Sequence, residues 1–490
     1  MVRRLMIATY FLASMLVSYG QQVVELSLDD AIARARSQSV DAAVALNELK
    51  TAYWEYRTFR ANLLPEVSFS ATAPAYYKQY SPYMNNDGSY SFVRNNYMQL
   101  KGGLTVSQSI WTTGGTLSLT TSLDFFRQLE GTKYNRYMSI PLAMTLSQPI
   151  FGVNNVKWNR KIEPVRYAEA KAQFLSSTEN VAMTAINYYF NVLMARERLE
   201  ISKQNLENAT KLYEVAIEKR EMGQISQNDL LQMELSVLNA RSAVTDRESN
   251  LKSNMFQLRT FLDYDENVEL NVAIPGSVPA ISINYDDALD KALTNNKFAK
   301  NLRRRQLEAD YAVARAKGNL RQITLYAQVG YTGAGGEFSS AYEVLKGNQV
   351  VEVGFRVPIL DWGKRRGSVK VAESNREVVQ NRLRQESMDF NQNLFILVER
   401  FCNQQMQLNI ADKADQIARK RYDTNVETYM IGKISTLDLN DSQVTKDQSR
   451  IDYVNELYLY WYYFYQLRSI TLWDFAKNSN IDADFEKIIK

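Results

Sequence analysis

The sequence offers few of the side chains that nucleophilic and metal chemistry use most, since the 490 residues include no histidine and a single cysteine, Cys402. The lack of histidine excludes histidine-based catalytic triads and most zinc sites. Among the acids, Asp438 and Asp441 lie one turn apart after Ser435, so their carboxylates share one face of a predicted helix. Acids in a first helical turn stabilise the positive end of the helix dipole, a role that Asp438 can fill unaided. The residues alone leave open whether the pair does more.

These acids lie at the predicted tip of a helical hairpin, between two very long helical patterns. Gly432 is a natural helix terminator because glycine adopts the left-handed conformation without a Cβ clash. Ser435 can cap the next helix, with Asp438 as the acidic partner of a capping box. The same pattern lies 209 positions earlier, at Gly223, Ser226 and Asp229. The chain therefore carries one helical hairpin twice.

The N-terminal 20 residues are predicted to be a secretory signal peptide. Arg3 and Arg4 precede an apolar run from Leu5 to Val17, and small residues follow. The run is too short to cross a bilayer as a helix, and no later stretch supplies about 18 uncharged residues. Removal of this segment lowers Lys+Arg from 58 to 56 against 54 acids, so the exported chain is nearly neutral. A near-neutral chain is a poor candidate for binding nucleic acid.

Two blocks of the sequence, 65–150 and 321–360, alternate apolar and polar residues with the period of a β-strand. Tyr76 to Tyr97 and Phe125 to Tyr137 are predicted to be polar, aromatic-rich loops between strands. The apolar positions of the alternation include Val67, Phe69, Leu104, Val106, Leu117, Leu119, Leu142, Met144, Leu325, Val329, Val351 and Val353.

Two interpretations of this alternation compete. One is a soluble β-domain with a single buried face. The other is a membrane β-barrel with its apolar face toward lipid and its polar face toward a lumen. The export signal, strands of about ten residues and tyrosine-rich flanks favour the barrel.

The two repeats differ in length between their helices. The first predicted helix, which begins at Ser27, has its counterpart 257 positions later at Asn284, whereas the strand ends and hairpin tips repeat after 209 positions. The first strand block therefore holds 48 extra residues, which predict an additional β-hairpin. The sequence leaves open whether this hairpin joins the barrel or caps it.

The helices beside the strands complete the predicted organisation. The aromatic run from Tyr458 to Tyr465 predicts packing of the C-terminal helix against its neighbours, near a collar of irregular segments. The predicted segments are a signal peptide (1–20), an N-terminal helix (21–64), strands and loops of the first repeat (65–150), a long helical hairpin with its tip near 222–229 (151–264), a linker (265–283), a helix (284–320), strands of the second repeat (321–360), a second long hairpin with its tip near 431–441 (361–473) and a polar tail (474–490).

This doubled order resembles the TolC-type outer-membrane efflux proteins, with strand sets that end at Gln148-Pro149-Ile150-Phe151 and Val357-Pro358-Ile359-Leu360. The resemblance implies a mixed α and β membrane protein: duplicated antiparallel helical hairpins form a coiled-coil α-barrel, and the strands join a β-barrel in the outer membrane. It also implies a homotrimer that extends into the periplasm. Its tip opens when a periplasmic adaptor and an inner-membrane transporter engage it. No cofactor or catalytic residue is implied.

The resemblance also assigns roles to residues at the tips. The family's acidic constriction matches Asp438 and Asp441, which in a trimer would form two stacked rings of carboxylates that attract cations and raise one another's pKa. The first-hairpin aspartate that holds the closed state matches Asp229, and a tyrosine before the second tip matches Tyr429. The basic partner of the family's latch is replaced by Ile434, so the latch is expected to be wired differently.

The predicted function is a passive, trimeric efflux duct that carries small molecules or proteins from the periplasm to the exterior and is gated at its helical tip. One alternative is a periplasmic adaptor, which also uses helical hairpins but lacks two sets of porin-like strands. Another is an enzyme on a helical scaffold, which the missing histidines and the lack of a phosphate-binding glycine loop disfavour.

Overall fold

The computed structural model describes residues 22–265, 267–276, 278–320, 322–356, 360–430 and 433–489. The predicted signal peptide, Gly432 and the Val357–Ile359 part of the second strand end lie outside the described residues.

Helices account for most of the described chain. In chain order they are α1 (Leu28–Gln38), α2 (Val40–Ala61), α3 (Asn155–Glu221), α4 (Gln227–Phe261), α5 (Tyr285–Asn295), α6 (Lys297–Gly318), α7 (Ser340–Glu343), α8 (Lys364–Met430), α9 (Thr436–Thr471) and α10 (Phe485–Ile489). The strands are β1 (Gln22–Leu26), β2 (Glu66–Met84), β3 (Tyr90–Ser109), β4 (Thr116–Gln128), β5 (Asn135–Pro149), β6 (Val268–Val272), β7 (Gln322–Gly335), β8 (Leu345–Arg356), β9 (Trp473–Asp474) and β10 (Ser479–Asn480).

The doubled order of elements is confirmed. Each half runs through two helices, a set of strands, a long helix and a shorter helix. The long helices α3 and α8 have 67 residues each, and the returning helices α4 and α9 have 35 and 36. Among the described helices, none combines the length and the apolar composition needed to cross a bilayer.

The prediction of one continuous N-terminal helix over 21–64 is wrong. Residues 22–26 form β1, and the helix that follows is broken at Ser39, which has a ψ of 150° and closes α1 through its backbone N–H to Ala35 O. The Ser39 hydroxyl then accepts the N–H of Ala42 and so caps α2 (3.2 Å). The second half breaks in the same way at Asn296, whose side-chain oxygen accepts the N–H of Phe298 (2.7 Å). A polar side chain that satisfies the backbone locally competes with continuation of the helix.

Six of the described strands form one antiparallel sheet, in the order β2-β3-β4-β5-β7-β8. The extra residues of the first repeat lie in this sheet, because four strands come from the first repeat and two from the second. The prediction of a loop over Tyr76 to Tyr97 is wrong, since β2 continues to Met84 and β3 begins at Tyr90. The loop predicted over Phe125 to Tyr137 is shorter, from the end of β4 to the start of β5.

The described chain divides into two compact units, one built from the described residues of 22–50, 170–299 and 388–489, the other from those of 51–169 and 300–387. The second unit holds the six-stranded sheet. The core of the first unit is centred on fully buried aromatic side chains, including Tyr189, Phe190, Phe401 and Tyr460. The aromatic run of α9 packs as predicted, with Phe464 and Tyr465 also buried.

Short strands and ordered turns surround this core, and we call residues 22–38, 176–196, 258–299, 394–408 and 454–480 the collar. The predicted linker contains β6, which pairs in parallel with β1 over Gln22–Leu26. The predicted polar tail is also packed, since Asp474 is buried beside Arg468 and the Phe485 ring lies 6.3 Å from that of Phe174. The pairing of β6 with β1 and the contact of Phe485 with Phe174 were missed because the partners are distant in the chain.

Candidate functional site at the hairpin tips

The first hairpin turns through a glycine in the left-handed conformation. Gly223 has a φ of 72°, which favours glycine over any residue with a Cβ. The N–H of Gln224 donates to Lys219 O (2.8 Å) and closes the last turn of the incoming helix. Ser226 then begins α4 through a capping box with Asp229: the Asp229 N–H donates to Ser226 Oγ (3.1 Å), and the Ser226 N–H donates to Asp229 Oδ2 (3.0 Å).

The second hairpin begins its returning helix in the same way. The Asp438 N–H donates to Ser435 Oγ, and the Ser435 N–H donates to Asp438 Oδ2, both at 3.2 Å. The Ser435 hydroxyl also donates to Asp438 Oδ2 (2.6 Å), as the Ser226 hydroxyl does to Asp229. Each of these two predicted gate aspartates is therefore first of all part of its own helix cap.

Hydrogen bonds at the caps lower the pKa of both aspartates. For Asp229 the main cause is the Ser226 hydroxyl, followed by the Ser226 backbone. For Asp438 the Ser435 hydroxyl and backbone lower the pKa, and the charge of Arg421 adds to them. Within a single chain the shift is opposite to the rise that repulsion between carboxylate rings would cause.

The other predicted gate residues, Asp441 and Tyr429, lie on the second hairpin. Asp441 Oδ2 pairs with Arg421 Nη2 at 2.7 Å, which joins α9 to α8, and both side chains are exposed. Asn425 Nδ2 lies 3.5 Å from Asp438 O across the same pair of helices. Tyr429 is partly buried next to the end of α8.

A group of charged residues that sequence reasoning missed joins three helices above the tips. Arg450 on α9 donates through Nε to Glu197 of α3 (2.7 Å), and its Nη1 lies 3.4 Å from Asp415 Oδ2 of α8. Asp415 also pairs with Arg419 (3.1 Å). Desolvation disfavours the Arg450 charge, but the hydrogen bond to Glu197 and the charges of Glu197 and Asp415 outweigh it and raise the Arg450 pKa.

Closer to the tips, polar contacts continue between the same helices. Asn205 Nδ2 donates to Asp447 Oδ2 (3.1 Å), and Gln443 donates to Asn205 Oδ1. Asn208 Nδ2 donates to the Tyr422 hydroxyl (3.1 Å), and the Lys446 ammonium lies 4.4 Å from the centre of the Tyr422 ring. We call this set the polar seam, which comprises Glu197, Asn205, Asn208, Asp415, Tyr422, Gln443, Lys446, Asp447 and Arg450.

The polar seam borders an open groove of about 560 Å³, with charged side chains along its walls. Such a groove admits water, so its ion pairs are screened more than pairs in a dry core. The seam therefore ties the first hairpin to the second through contacts that can exchange with water. Polar residues at interior helix positions were the sequence signal for it, but a single sequence does not show which of them meet.

The chain is similar to known proteins in sequence and in fold. The sequence model of the outer membrane efflux protein family matches residues 116–262 and 289–471, which together exceed half of the chain. A search of curated protein sequences finds no significant match.

Solved structures share the fold at low sequence identity. The Campylobacter jejuni CmeC outer membrane channel is 16% identical, with a TM-score of 0.66 over 94% of this chain and 88% of that one. The Vibrio cholerae outer membrane protein VceC is 13% identical, with a TM-score of 0.62 over 93% and 97% of the two chains. The Neisseria gonorrhoeae MtrE outer membrane channel, solved in an open state, is 13% identical, with a TM-score of 0.60 over 93% and 91%.

Proposed function

This protein belongs to the outer membrane efflux protein family, and from that premise we propose that it is one subunit of a trimeric duct whose periplasmic tip is gated. The observation that carries the proposal is that the family match includes strands, long helices and both hairpin tips. It is an outer membrane channel protein and not an enzyme. The family also rules out the periplasmic adaptor that the helical hairpins left open.

Exposed apolar side chains at helical spacing support assembly into a trimer. Leu231, Leu235 and Leu238 recur along α4, each more than half exposed in the single chain. Met406 and Ile410 are similarly exposed on α8. A long helix that leaves such a face in water is stabilised by packing against another helix, so we propose that neighbouring copies cover these faces.

We further propose that the polar seam holds the tip closed. Opening of a duct at its tip requires one hairpin to move relative to the other, and the seam joins the first hairpin to the second at Arg450. Its contacts can be replaced by water, which keeps the energy difference between closed and open arrangements small. That MtrE was solved in an open state supports the existence of an open arrangement for this fold.

The gate is tested by removal of its central cation. Arg450→Met retains most of the side-chain volume but loses both ion pairs, so we expect a severalfold increase in single-channel conductance in planar bilayers. Glu197→Gln should act in the same direction with a smaller effect, because Asp415 still pairs with Arg450.

The matched control is Lys203→Met, which removes an exposed ion pair within one helix, to Glu200 at 3.3 Å. It should leave conductance unchanged. If Arg450→Met also leaves the closed-state conductance unchanged, the seam is not the gate.

Asp438 and Asp441 remain our proposed acidic rings, with the qualification that Asp438 also caps its helix. Asp441→Asn should weaken cation preference and cation block, since it removes a carboxylate without removing the cap. Unaltered ion selectivity in Asp441→Asn and Asp438→Asn would exclude the ring role.

Asp229 and Tyr429 remain proposed to hold the closed tip. Asp229→Ala and Tyr429→Phe should each raise conductance if these side chains restrain the hairpins. A closed-state current identical to that of the unaltered channel would mean that neither residue restrains it.

The proposed duct is passive, so its energy would come from an inner-membrane transporter joined through a periplasmic adaptor. The exported cargo would be small molecules or proteins. Mild crosslinking in cells followed by mass spectrometry should recover an adaptor and a transporter with this chain. Efflux that persists after deletion of every recovered transporter would contradict this arrangement.

A further inference from the structure

We propose that every copy contributes all six strands of its sheet to one shared barrel, in which β2 of one copy pairs with β8 of the next. This inference rests on the proposed trimer. Three copies of the six described strands give a barrel of 18 strands. If each repeat supplied only two strands, as the second repeat does, three copies would give a barrel of 12 strands.

The internal duplication locates the added strands. An offset of 257 residues takes the start of β2 to within one residue of the start of β7, and an offset of 209 takes the end of β5 to within two residues of the end of β8. The 48 extra residues therefore lie between the outer two strands of the first repeat. They are continuous with the sheet, because β3 pairs with β4 from Tyr97↔Gln128 to Ser109↔Thr116.

The pattern of side chains shows that the added strands have the same two faces as the others. One row of directly opposed residues crosses β2, β3, β4, β5 and β7 and is apolar throughout. This row is Val67, Val106, Leu119, Met144 and Val329, and it ends at Gln349 in β8. The adjacent row, on the opposite face, consists of small and polar residues, namely Ser68, Thr105, Thr120, Ala143, Gly330 and Asn348.

The apolar row is exposed to solvent in the single chain, so it needs lipid or another surface to cover it. In the single chain Val67 is 66% exposed, Met144 is 47% exposed and Val329 is 50% exposed. A soluble sheet buries its apolar face, whereas a membrane barrel turns that face to lipid. Since the row crosses β3 and β4, the lipid-facing surface includes the added strands.

The two edges of the sheet are complementary. With six antiparallel strands in sequence, β2 and β8 run in opposite directions, so the β8 edge of one copy can pair antiparallel with the β2 edge of the next. Unpaired edges are not tolerated in a bilayer, because their backbone N–H and C=O groups would have no partners. Pro74 lies near the middle of β2 and Pro82 near its end. Pairing between copies should therefore use residues 66–73, where no proline interrupts the N–H groups that point away from β3.

The consequence is a wider exit in the outer membrane. Barrel diameter grows roughly linearly with strand number, so 18 strands give an opening about half as wide again as 12. Barrels of this size enclose a water-filled channel rather than a packed interior. This width would pass bulkier cargo through the barrel than the 12-stranded arrangement.

Disulfide crosslinking between copies tests the pairing. In a Cys402→Ser background, which removes the single native cysteine, Ser68→Cys or Ser70→Cys is combined with Asn348→Cys, Val350→Cys or Glu352→Cys. These positions lie on the polar rows of the two edges. We expect at least one pair to give covalent trimers in outer-membrane fractions on non-reducing gels.

Two further pairs act as controls. Thr105→Cys with Thr120→Cys should close within one chain, because their hydroxyls lie 3.3 Å apart. Thr120→Cys is also combined with Asn348→Cys, Val350→Cys or Glu352→Cys, to place β4 instead of β2 against β8. Links between copies through β4 and β8, but not through β2 and β8, would overturn the inference and show that β2 and β3 lie outside the barrel. Failure of Thr120→Cys to close within one chain with Ala143→Cys, which lies opposite it on β5, would overturn it as well and show that β3 and β4 lie outside.

Native mass spectrometry in mild detergent separates this result from failure of the proposed function. A trimeric mass with β4–β8 links alone rejects the 18-stranded barrel and leaves the trimeric duct intact. A monomeric mass, with no links between copies, would reject both.

Discussion

The collar and the polar seam both join distant parts of the chain through ion pairs, but they do so in different surroundings. In the collar, Glu179 has only 2% of its side chain exposed and pairs with Arg36 at 2.5 Å and Arg468 at 2.9 Å. In the seam, Arg450 and Glu197 keep about a fifth of their side chains exposed beside an open groove. A buried charge that loses its partner has no water to replace it, whereas Glu197 in the seam does, although Asp415 is itself buried. The collar is therefore suited to fix the helices, and the seam to release them.

Aromatic packing adds to this contrast. The Tyr189 hydroxyl lies within hydrogen-bond distance of Leu26 O (3.1 Å) and Ala273 O (2.5 Å), and it accepts the N–H of Ala273 (3.1 Å). It thus connects α3 to β1 and to the segment after β6. The Tyr460 hydroxyl donates to Pro279 O in the same way (2.5 Å). The seam has no comparable dry core among its described residues.

The largest effect should come from the collar carboxylate. Glu179→Gln removes the buried anion shared by Arg36, which is partly exposed, and Arg468, which keeps Asp474 as a partner. This loss should lower the free energy of unfolding by about 3 kcal/mol. Thermal unfolding followed by circular dichroism measures it. The control Glu207→Gln removes an exposed pair with Lys211 and should leave the unfolding midpoint unchanged. Equal losses of stability in Glu179→Gln and Glu207→Gln would contradict the proposed difference between buried and exposed ion pairs.

Loss of the Tyr189 hydroxyl should have the next largest effect. Tyr189→Phe leaves the Ala273 N–H and a buried carbonyl without this partner, at a cost of about 1–3 kcal/mol. Tyr188→Phe, at the preceding position of the same helix, is the matched control. A smaller loss of stability in Tyr189→Phe than in the control would show that the hydroxyl does not hold the collar strands.

The same residue predicts a dependence on alkaline pH. Burial, the main cause, raises the pKa of Tyr189 from 10.0 to about 12. Because the folded pKa lies above the unfolded one, this contribution is complete below pH 10 and is lost as the pH rises toward 12. Thermal unfolding midpoints are measured between pH 9 and 12 at intervals of about one pH unit. The midpoint should fall less steeply with pH for Tyr189→Phe than for the unaltered protein.

Seam substitutions should reduce stability less than collar substitutions. Arg450→Met should lower the free energy of unfolding by about 1–2 kcal/mol, because water in the groove solvates Glu197 after its partner is lost. Arg450→Met is expected to raise channel conductance. Glu179→Gln, compared at the same protein yield, is not. A destabilisation by Arg450→Met as large as that by Glu179→Gln would mean that the seam is a fixed joint.

The smallest effects should be those on the two helix caps. Ser226→Ala and Ser435→Ala each remove a cap worth about 1 kcal/mol and should speed hydrogen exchange at the start of α4 or α9 without a change in the collar. The pKa of Asp229 and of Asp438 is lowered from 3.8 by these caps. Their contribution is therefore present above pH 3.8 and lost as the pH falls through the lower folded values. Exchange rates corrected for intrinsic pH dependence should rise at the tips below pH 3.8 in the unaltered protein and change less in the serine variants.

The sequence alone determined the parts of this protein that depend on neighbouring residues. The two tips follow from glycine, serine and aspartate at fixed short spacings, and the strands follow from alternation along each segment. The helix breaks were also encoded locally, since Ser39 and Asn296 lie one repeat offset of 257 apart, although the hydrophobic pattern around them concealed the breaks.

Only the tertiary structure decided which distant residues meet. Nothing near Arg450 in the sequence identifies Glu197 as its partner, and nothing near β1 identifies β6. The extra hairpin was predictable from the repeat offsets, but its place within the sheet depended on register between strands, which one sequence does not specify. Local backbone preferences act over a few residues, whereas burial and ion pairing act between whichever groups the fold brings together, and so the caps were predictable and the seam was not.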